Sequence, residues 1–284
     1  MSIRPLPEIP DFQISADMGW DMRPDAVDRW QAGVKAADAP ENSISIYETI
    51  GHDYWTGEGM TSNRVAGMLR KIGDADIVVN INSPGGDFFE GVSIYNLLRQ
   101  HKASVTVRVM GVAASAASVI AMAGDRIEIG AASFLMIHNA WAGAVGNRHD
   151  FRKAADMLEP FDAAMAQVYA ARTGMDVLAA AKLMDGETWI SGASALDMGF
   201  ADALLDGDKI VEDAQASVAA SSVKALRRVD SLLAKQNISR SERRELFANI
   251  KRNTHDAVPT ATQDAGHSDF LASIQSTIRT IAQN

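Results

Sequence analysis

Val105-Thr106-Val107-Arg108-Val109-Met110-Gly111-Val112-Ala113-Ala114-Ser115-Ala116-Ala117-Ser118 holds the pattern on which the fold of this 284-residue chain turns. Alternation of Val105, Val107 and Val109 predicts a strand, since β-branched side chains at a period of two pack well on a pleated surface. The strand runs into Gly111, and the small residues after it predict a helix from about Ala113 to Met122. Upstream, Ile77-Val78-Val79-Asn80-Ile81 reads as a buried strand that ends at the turn Ser83-Pro84-Gly85-Gly86, followed by a helix from Gly91 to His101. Further out, Ile44–Tyr47 alternates like a short strand, and Val65, Met68, Leu69 and Ile72 form one helical stripe. Downstream come strands at Arg126–Ile129 and Phe134–Ile137, then a helical stretch from about Arg148 to Thr173 that Pro160 should kink or split. Strands alternating with helices give an α/β fold with a mostly parallel sheet.

The flanks differ from this body. Five of the eight prolines lie in the first forty residues, so 1–42 reads as an irregular N-terminal arm. The body spans 43–207, its last element ending near Leu204-Leu205. In the tail, 208–284, Val223–Ala234 and Ser241–Ile250 have helical patterns. Ser241 is followed three residues later by Arg244, which leaves a capping box incomplete. Phe270, Leu271, Ile274, Ile278 and Ile281 form a last apolar stripe suited to a helix that seeks a partner.

Composition narrows the function. With no cysteine, a disulfide framework, a thiolate metal site and a cysteine nucleophile are excluded, so covalent catalysis needs oxygen or nitrogen. A net charge of −9 opposes a chain that coats nucleic acid, which requires clustered cations. The exception is 221–253, where nine Lys or Arg meet three acids. No apolar run is long enough for a bilayer-spanning helix, and the N-terminus lacks the apolar core of a secretory peptide, so a cytoplasmic protein is expected. Phosphate-loop, dinucleotide-loop and His-Glu-x-x-His patterns are missing, and no metal or organic cofactor is implied.

Chemistry can gather at four places. Ser115, where strand gives way to helix, stands near free N–H groups that stabilise an oxyanion; the alternative is that Ala and Ser are merely small enough for close packing. A serine nucleophile needs a base, and of six histidines only His138 directly follows an apolar strand. His52, His101 and His149 fall at polar or element-end positions, and His255 and His267 in the tail. A base needs an acceptor to hold its tautomer, and Asp185 and Glu187 are both available just before Thr188-Trp189-Ile190-Ser191. Gly85 and Gly86 permit positive φ and close approach of backbone amides to a substrate carbonyl.

Together, Ile81–Gly86, Gly111–Ala116, Met136–His138 and Glu187–Ser191, in this order, resemble the proteolytic subunit of Clp protease over about residues 43–205. The body is most similar to the Clp-related head maturation proteases of phages and prophages, on Ala113–Ser118, Met122-Ala123-Gly124-Asp125 and Glu187-Thr188-Trp189. The resemblance implies a serine endopeptidase with a crotonase-like spiral of β-β-α units and a helical C-terminal extension. Ser115 would be nucleophile, His138 general base and acid, and the backbone amides of Gly86 and Ala116 the oxyanion hole. The family carries Asp where this chain has Glu187, whose extra methylene extends the carboxylate's reach by about 1.5 Å; Asp185 is the other acid in range. Peptide substrates, a homo-oligomeric ring, often two stacked heptamers, and a handle near Met157–Tyr169 between rings are also implied. So are phage scaffold or capsid partners and a site of action in the bacterial cytoplasm or the prohead. A housekeeping Clp subunit served by a separate ATPase and a catalytically silent ring component are the alternatives.

Overall fold

The computed structural model describes residues 19–20, 24–52, 59–143 and 147–214, with further scattered positions between 216 and 249. In chain order its elements are β1 (Gly19–Trp20), α1 (Pro24–Arg29), β2 (Val34–Ala36), β3 (Ser43–Ile46), α2 (Ser62–Ile72), β4 (Ile77–Ser83) and α3 (Phe88–Arg99). Then come β5 (Val105–Ala114), α4 (Ala116–Ala121), β6 (Arg126–Gly130), β7 (Phe134–Ile137), β8 (Ala142–Gly143) and α5 (Arg148–Thr173). The last are α6 (Val177–Asp185), β9 (Thr188–Ser191), α7 (Gly192–Asp197), β10 (Ala203–Leu205), a 3-10 turn at Gly207–Lys209 and β11 (Ile210–Glu212).

The fold is mixed α/β with a mostly parallel sheet in the order β10-β6-β5-β4-β3. All four pairings along that path are parallel. Parallel strands with both faces covered read as continuous apolar runs, and Ile77, Val79, Ile81, Val105, Val107 and Val109 are all buried. β5 is longer than its valine pattern predicts. It continues through Ala114 because its far half finds a second partner, β7, with Val112 opposite Phe134 and Ala114 opposite Met136. β9 then adds antiparallel to β7. No helix among the described residues is long and apolar enough to cross a membrane.

Three sequence expectations are revised. The arm is not irregular throughout: α1 and β2 lie within it. Pro24 sits at the first helical position, where a missing N–H leaves no bond unmade. Ala26, Trp30 and Ala32 pack with Val112, Ala114 and Met136 in a second core. The body does not end at 207, since β11 pairs antiparallel with β2, Ile210 opposite Ala36. Nor does Pro160 split α5, which is continuous from Arg148 to Thr173. The carbonyl a proline frees belongs to the residue four before it, and that residue, Asp156, is exposed to water.

The helix α5 is divided in character. Phe161, Met165, Val168 and Tyr169 are buried in the core, while 148–153 are exposed. Six of the thirteen positions of the handle expected at Met157–Tyr169 are buried, and the more exposed helical surface lies nearer the N-terminal end. Contacts divide the chain into two units, Met1–Arg227 and Arg228–Asn284. In the second, positions 228–230, 242–243 and 245–249 are helical, and Arg243 Nε donates to Asp230 at 2.8 Å. The stripe at 270–281, His255, His267 and the capping position Ser241 lie outside the described residues.

Candidate active site

Ser115 stands where β5 ends and α4 begins, with φ 54° and ψ −125°. A non-glycine residue at positive φ costs roughly 1–3 kcal/mol and persists only where its surroundings over-determine it. Here four hydrogen bonds do so. Its own N–H donates to Met136 O at 2.8 Å, and its carbonyl accepts from the N–H groups of Ser118 (2.9 Å) and Val119 (3.3 Å). Ser118 Oγ also donates to that carbonyl at 2.6 Å. With its hydrogen so used, Ser118 Oγ accepts from the Tyr169 hydroxyl, 2.8 Å away. Burial raises the Tyr169 phenol well above its ordinary range, so it remains a donor.

His138 follows β7 directly, and its Nε2 lies 2.8 Å from Ser115 Oγ. The ladder explains the meeting: Ala114 pairs with Met136, so the residues beyond the ends of two adjacent parallel strands emerge side by side. The imidazole is only 6% exposed, while Ser115 is partly open. Nε2 can take the serine proton only if it is unprotonated, which requires the ring's remaining proton to be on Nδ1.

The two candidate acids separate. β7 and β9 end with Ile137 opposite Thr188, so one further step in the same register sets Glu187 against His138. Glu187 has φ 48° and its side chain is exposed. Asp185 instead accepts from Asn139 Nδ2 at 2.7 Å. A third acid, unremarked in the sequence, is Asp162 on α5, which accepts from Ala140 N–H at 2.6 Å. Burial lifts the Asp162 carboxyl to about 6, the Ala140 N–H opposes that, and the carboxylates of Asp185 and Glu159 add to it. A lone Asp inside a helical pattern gives no sequence signal of this kind.

The glycine turn closes the site from the other side. Gly85 has φ 91° and Gly86 φ 152°. A Cβ on Gly85 would come 2.7 Å from Ser115 Cβ, and one on Gly86 2.1 Å from Ile50 O. The turn is pinned by Ile50 N–H donating to Gly85 O (2.9 Å) and Asp87 N–H donating to Ile50 O (3.0 Å). The amides of Gly86 and Ala116 meet no backbone acceptor among the described residues. Ala116 also serves packing, since a Cβ on Gly91 would fall 2.9 Å from its own. Of the other histidines, His101 is buried with Nε2 2.8 Å from Ala75 O, remote from this cluster in the ladder.

A hydroxyl, an imidazole and two uncommitted amides are therefore adjacent, an arrangement able to attack a carbonyl and hold the resulting oxyanion. The Clp protease family model matches residues 60–208. The ATP-dependent Clp protease proteolytic subunit of Ligilactobacillus salivarius (strain UCC118) is 32% identical over 141 residues, 49% of this chain and 72% of the relative. Subunit 3 of Rhodococcus jostii (strain RHA1) is 35% identical over 45% of this chain and 64% of its own length. Subunit 1 of Prochlorococcus marinus (strain MIT 9312) is 29% identical over 58% of this chain and 91% of its own. The matched span contains the strand end that carries Ser115, the strand end that carries His138 and the ladder that leads to Glu187; this chain belongs to the Clp protease family.

Proposed function

We propose that the chain is a Clp-type serine endopeptidase in which Ser115 is the nucleophile and His138 the general base and acid. The observation that carries this reading is the 2.8 Å contact between Ser115 Oγ and His138 Nε2 at a strained strand-to-helix turn. As Oγ bonds to the substrate carbonyl carbon, its proton passes to Nε2 and the carbonyl electrons move onto oxygen. The amides of Gly86 and Ala116 donate to that oxyanion, each contributing about 3 kcal/mol to the barrier reduction. The oxyanion collapses, the C–N bond breaks and Nε2 returns the proton to the leaving amine. Water then attacks the acyl-enzyme, gives its proton to Nε2, and Oγ departs with it.

Glu187 is the acid we assign to hold the proton on His138 Nδ1, on the strength of the strand register; Asp185 is already engaged by Asn139. The alternation of strands and helices about a mostly parallel sheet, with the long β5 serving both β6 and β7, supports the crotonase-like spiral, and the exposed N-terminal half of α5 supports a homo-oligomeric ring, the habit of the family. For the setting we propose trimming of phage scaffold or capsid proteins during head maturation, on the motifs at 113–118, 122–125 and 187–189. The relatives are ATP-dependent subunits, which favours instead a subunit fed by an ATPase.

A fluorophosphonate probe tests the chemistry: the full chain is expected to be labelled and Ser115→Ala to be unlabelled and about 10⁶-fold slower on a fluorogenic peptide. Labelling or turnover retained by Ser115→Ala overturns the nucleophile assignment. Cleavage of phage scaffold protein without ATP would support the head-maturation setting, and cleavage only with an added ATPase unfoldase would support the other.

A further inference from the structure

We infer that Asn82 is a positioning residue for this site, acting through a bulge in β5, and that the N-terminal segment at 30–34 completes it; the inference rests on the serine-peptidase reading above. β4 and β5 pair residue for residue from Ile77 opposite Val105 to Ile81 opposite Val109, and the next pair is Ser83 opposite Ala113. Two steps on β4 therefore span four on β5. At this same place β5 exchanges one neighbour for another, leaving β6 after Val109 and joining β7 at Val112. A bulge of this kind removes amides from the ladder and re-aims the strand.

The Asn82 side chain fills the gap. Its Oδ1 accepts from Val112 N–H at 3.1 Å. Its Nδ2 gives one hydrogen to Gln31 O (2.7 Å) and the other to Val34 O (2.8 Å). Its own carbonyl accepts from Trp30 Nε1 at 2.9 Å. Both donors of the amide and its acceptor oxygen are thus satisfied within a residue of 0% exposure. Gly111 is part of the same device: a Cβ there would lie 2.7 Å from Asn82 Oδ1. Gly111 has no side chain because the amide occupies that space.

The consequence is geometric. One residue after Asn82 begins the turn that carries Gly85 and Gly86, and three residues after Val112 comes Ser115. The Asn82 amide is the cross-link that sets the height of one chain against the other, and a 1 Å error between reacting groups costs about 100-fold in rate. Asn82 is buried and touches no substrate, so it acts by placement alone. The segment at 30–34, outside the matched family region, supplies the two carbonyls without which the Asn82 amide would be left with unpaired donors.

The test uses the full chain with Asn82→Ala, Gly111→Ala and the double variant. The rate constant of fluorophosphonate labelling is read per competent site, with end-point label counting the sites, so loss of folded protein does not move it. Each single substitution is expected to slow labelling about tenfold or more, with kcat for a fluorogenic peptide falling and KM within about twofold. The double variant is expected to be no slower than Asn82→Ala, because the added methyl occupies the room the amide vacates. Wild-type rates per site in the single variants, or losses that multiply in the double, overturn the inference. Should Asn82→Ala fail to fold, Asn82→Asp keeps the acceptor for Val112 but turns a carboxylate oxygen toward two carbonyls; slow labelling supports the inference and the wild-type rate refutes it. If the unaltered chain is not labelled at all, the serine-peptidase reading is at fault and this inference falls with it.

Discussion

The amino ends and the carboxyl ends of the sheet strands are finished in opposite ways. At the amino ends carboxylates take the leading amides: Asp76 accepts from Ser104 N–H (3.0 Å), Asp125 from Val105 N–H (3.0 Å) and Asp202 from Ile127 N–H (2.7 Å). Buried cations back two of them, with Arg99 on Asp125 and Arg172 on Asp202 at 3.5 Å and 2.5 Å. At the carboxyl ends two amides keep their donors free of backbone acceptors, a serine holds positive φ, and glycines replace side chains. The contrast teaches that a parallel sheet spends its polar satisfaction at one end and keeps unspent hydrogen-bonding capacity at the other, where ligands meet open α/β sheets.

Substitutions at the carboxyl ends should damage chemistry far more than stability, and the largest expected effect after loss of the nucleophile is at the third acid. Glu187→Gln leaves shape but loses the charge proposed to select the His138 tautomer, so kcat is expected to fall by about 10⁴-fold. Asp185→Asn, by contrast, should change it less than about tenfold, and the reverse ranking in peptide hydrolysis would transfer the role to Asp185. Next comes Gly86→Ala, whose methyl would meet Ile50 O and displace the proposed oxyanion donor. A loss of about 10²–10³ in kcat is expected, and unchanged turnover would remove Gly86 from the oxyanion hole.

The amino ends should behave the other way. Asp125→Asn leaves Arg99, whose side chain is only 2% exposed, facing a neutral amide. It should cost about 3–5 kcal/mol in chemical denaturation, while the fluorophosphonate labelling rate per competent site stays at the wild-type value. A slowed rate per site would break the division between the two ends. The smallest effect is expected from Asp162→Asn. Burial holds the folded carboxyl at about 6, above the 3.8 of a free aspartate, so this group favours folding below about pH 4 and its contribution is lost as pH rises to about 6. The amide can still accept from Ala140 without that loss. The thermal midpoint of the variant relative to the unaltered chain should therefore climb by about 2–4 °C between pH 4 and 6 and level off above; a flat difference would contradict it.

Much of this architecture is legible in the residues. The valines of β5, the isoleucines of β4 and the apolar run before His138 each announce a strand, and the Ser83–Gly86 turn announces positive φ. Ser115 and His138, the proposed nucleophile and base, stand out in the sequence because each follows such a strand. What local pattern misled on was the end of β5, where Ala113 and Ala114 read as the start of a helix; their strand character comes from pairing with β7. The prolines of the arm hid α1, since Pro24 is harmless at a helix start and disruptive elsewhere. The Met122–Asp125 motif, read as a family mark, has a structural cause: Asp125 caps β5 and pairs with Arg99.

By itself the sequence determined the element types, the absence of thiol chemistry and the identities of the groups able to react, because hydrophobic period and residue chemistry are local properties. Only the tertiary structure decided which of them meet. The 2.8 Å contact between Ser115 and His138, the register that favours Glu187, and the bulge held by Asn82 all depend on how separate strands are aligned. A shift of one residue in a ladder would keep every local pattern intact and still part the hydroxyl from the imidazole, since strand register is fixed by packing between chain segments and not within them.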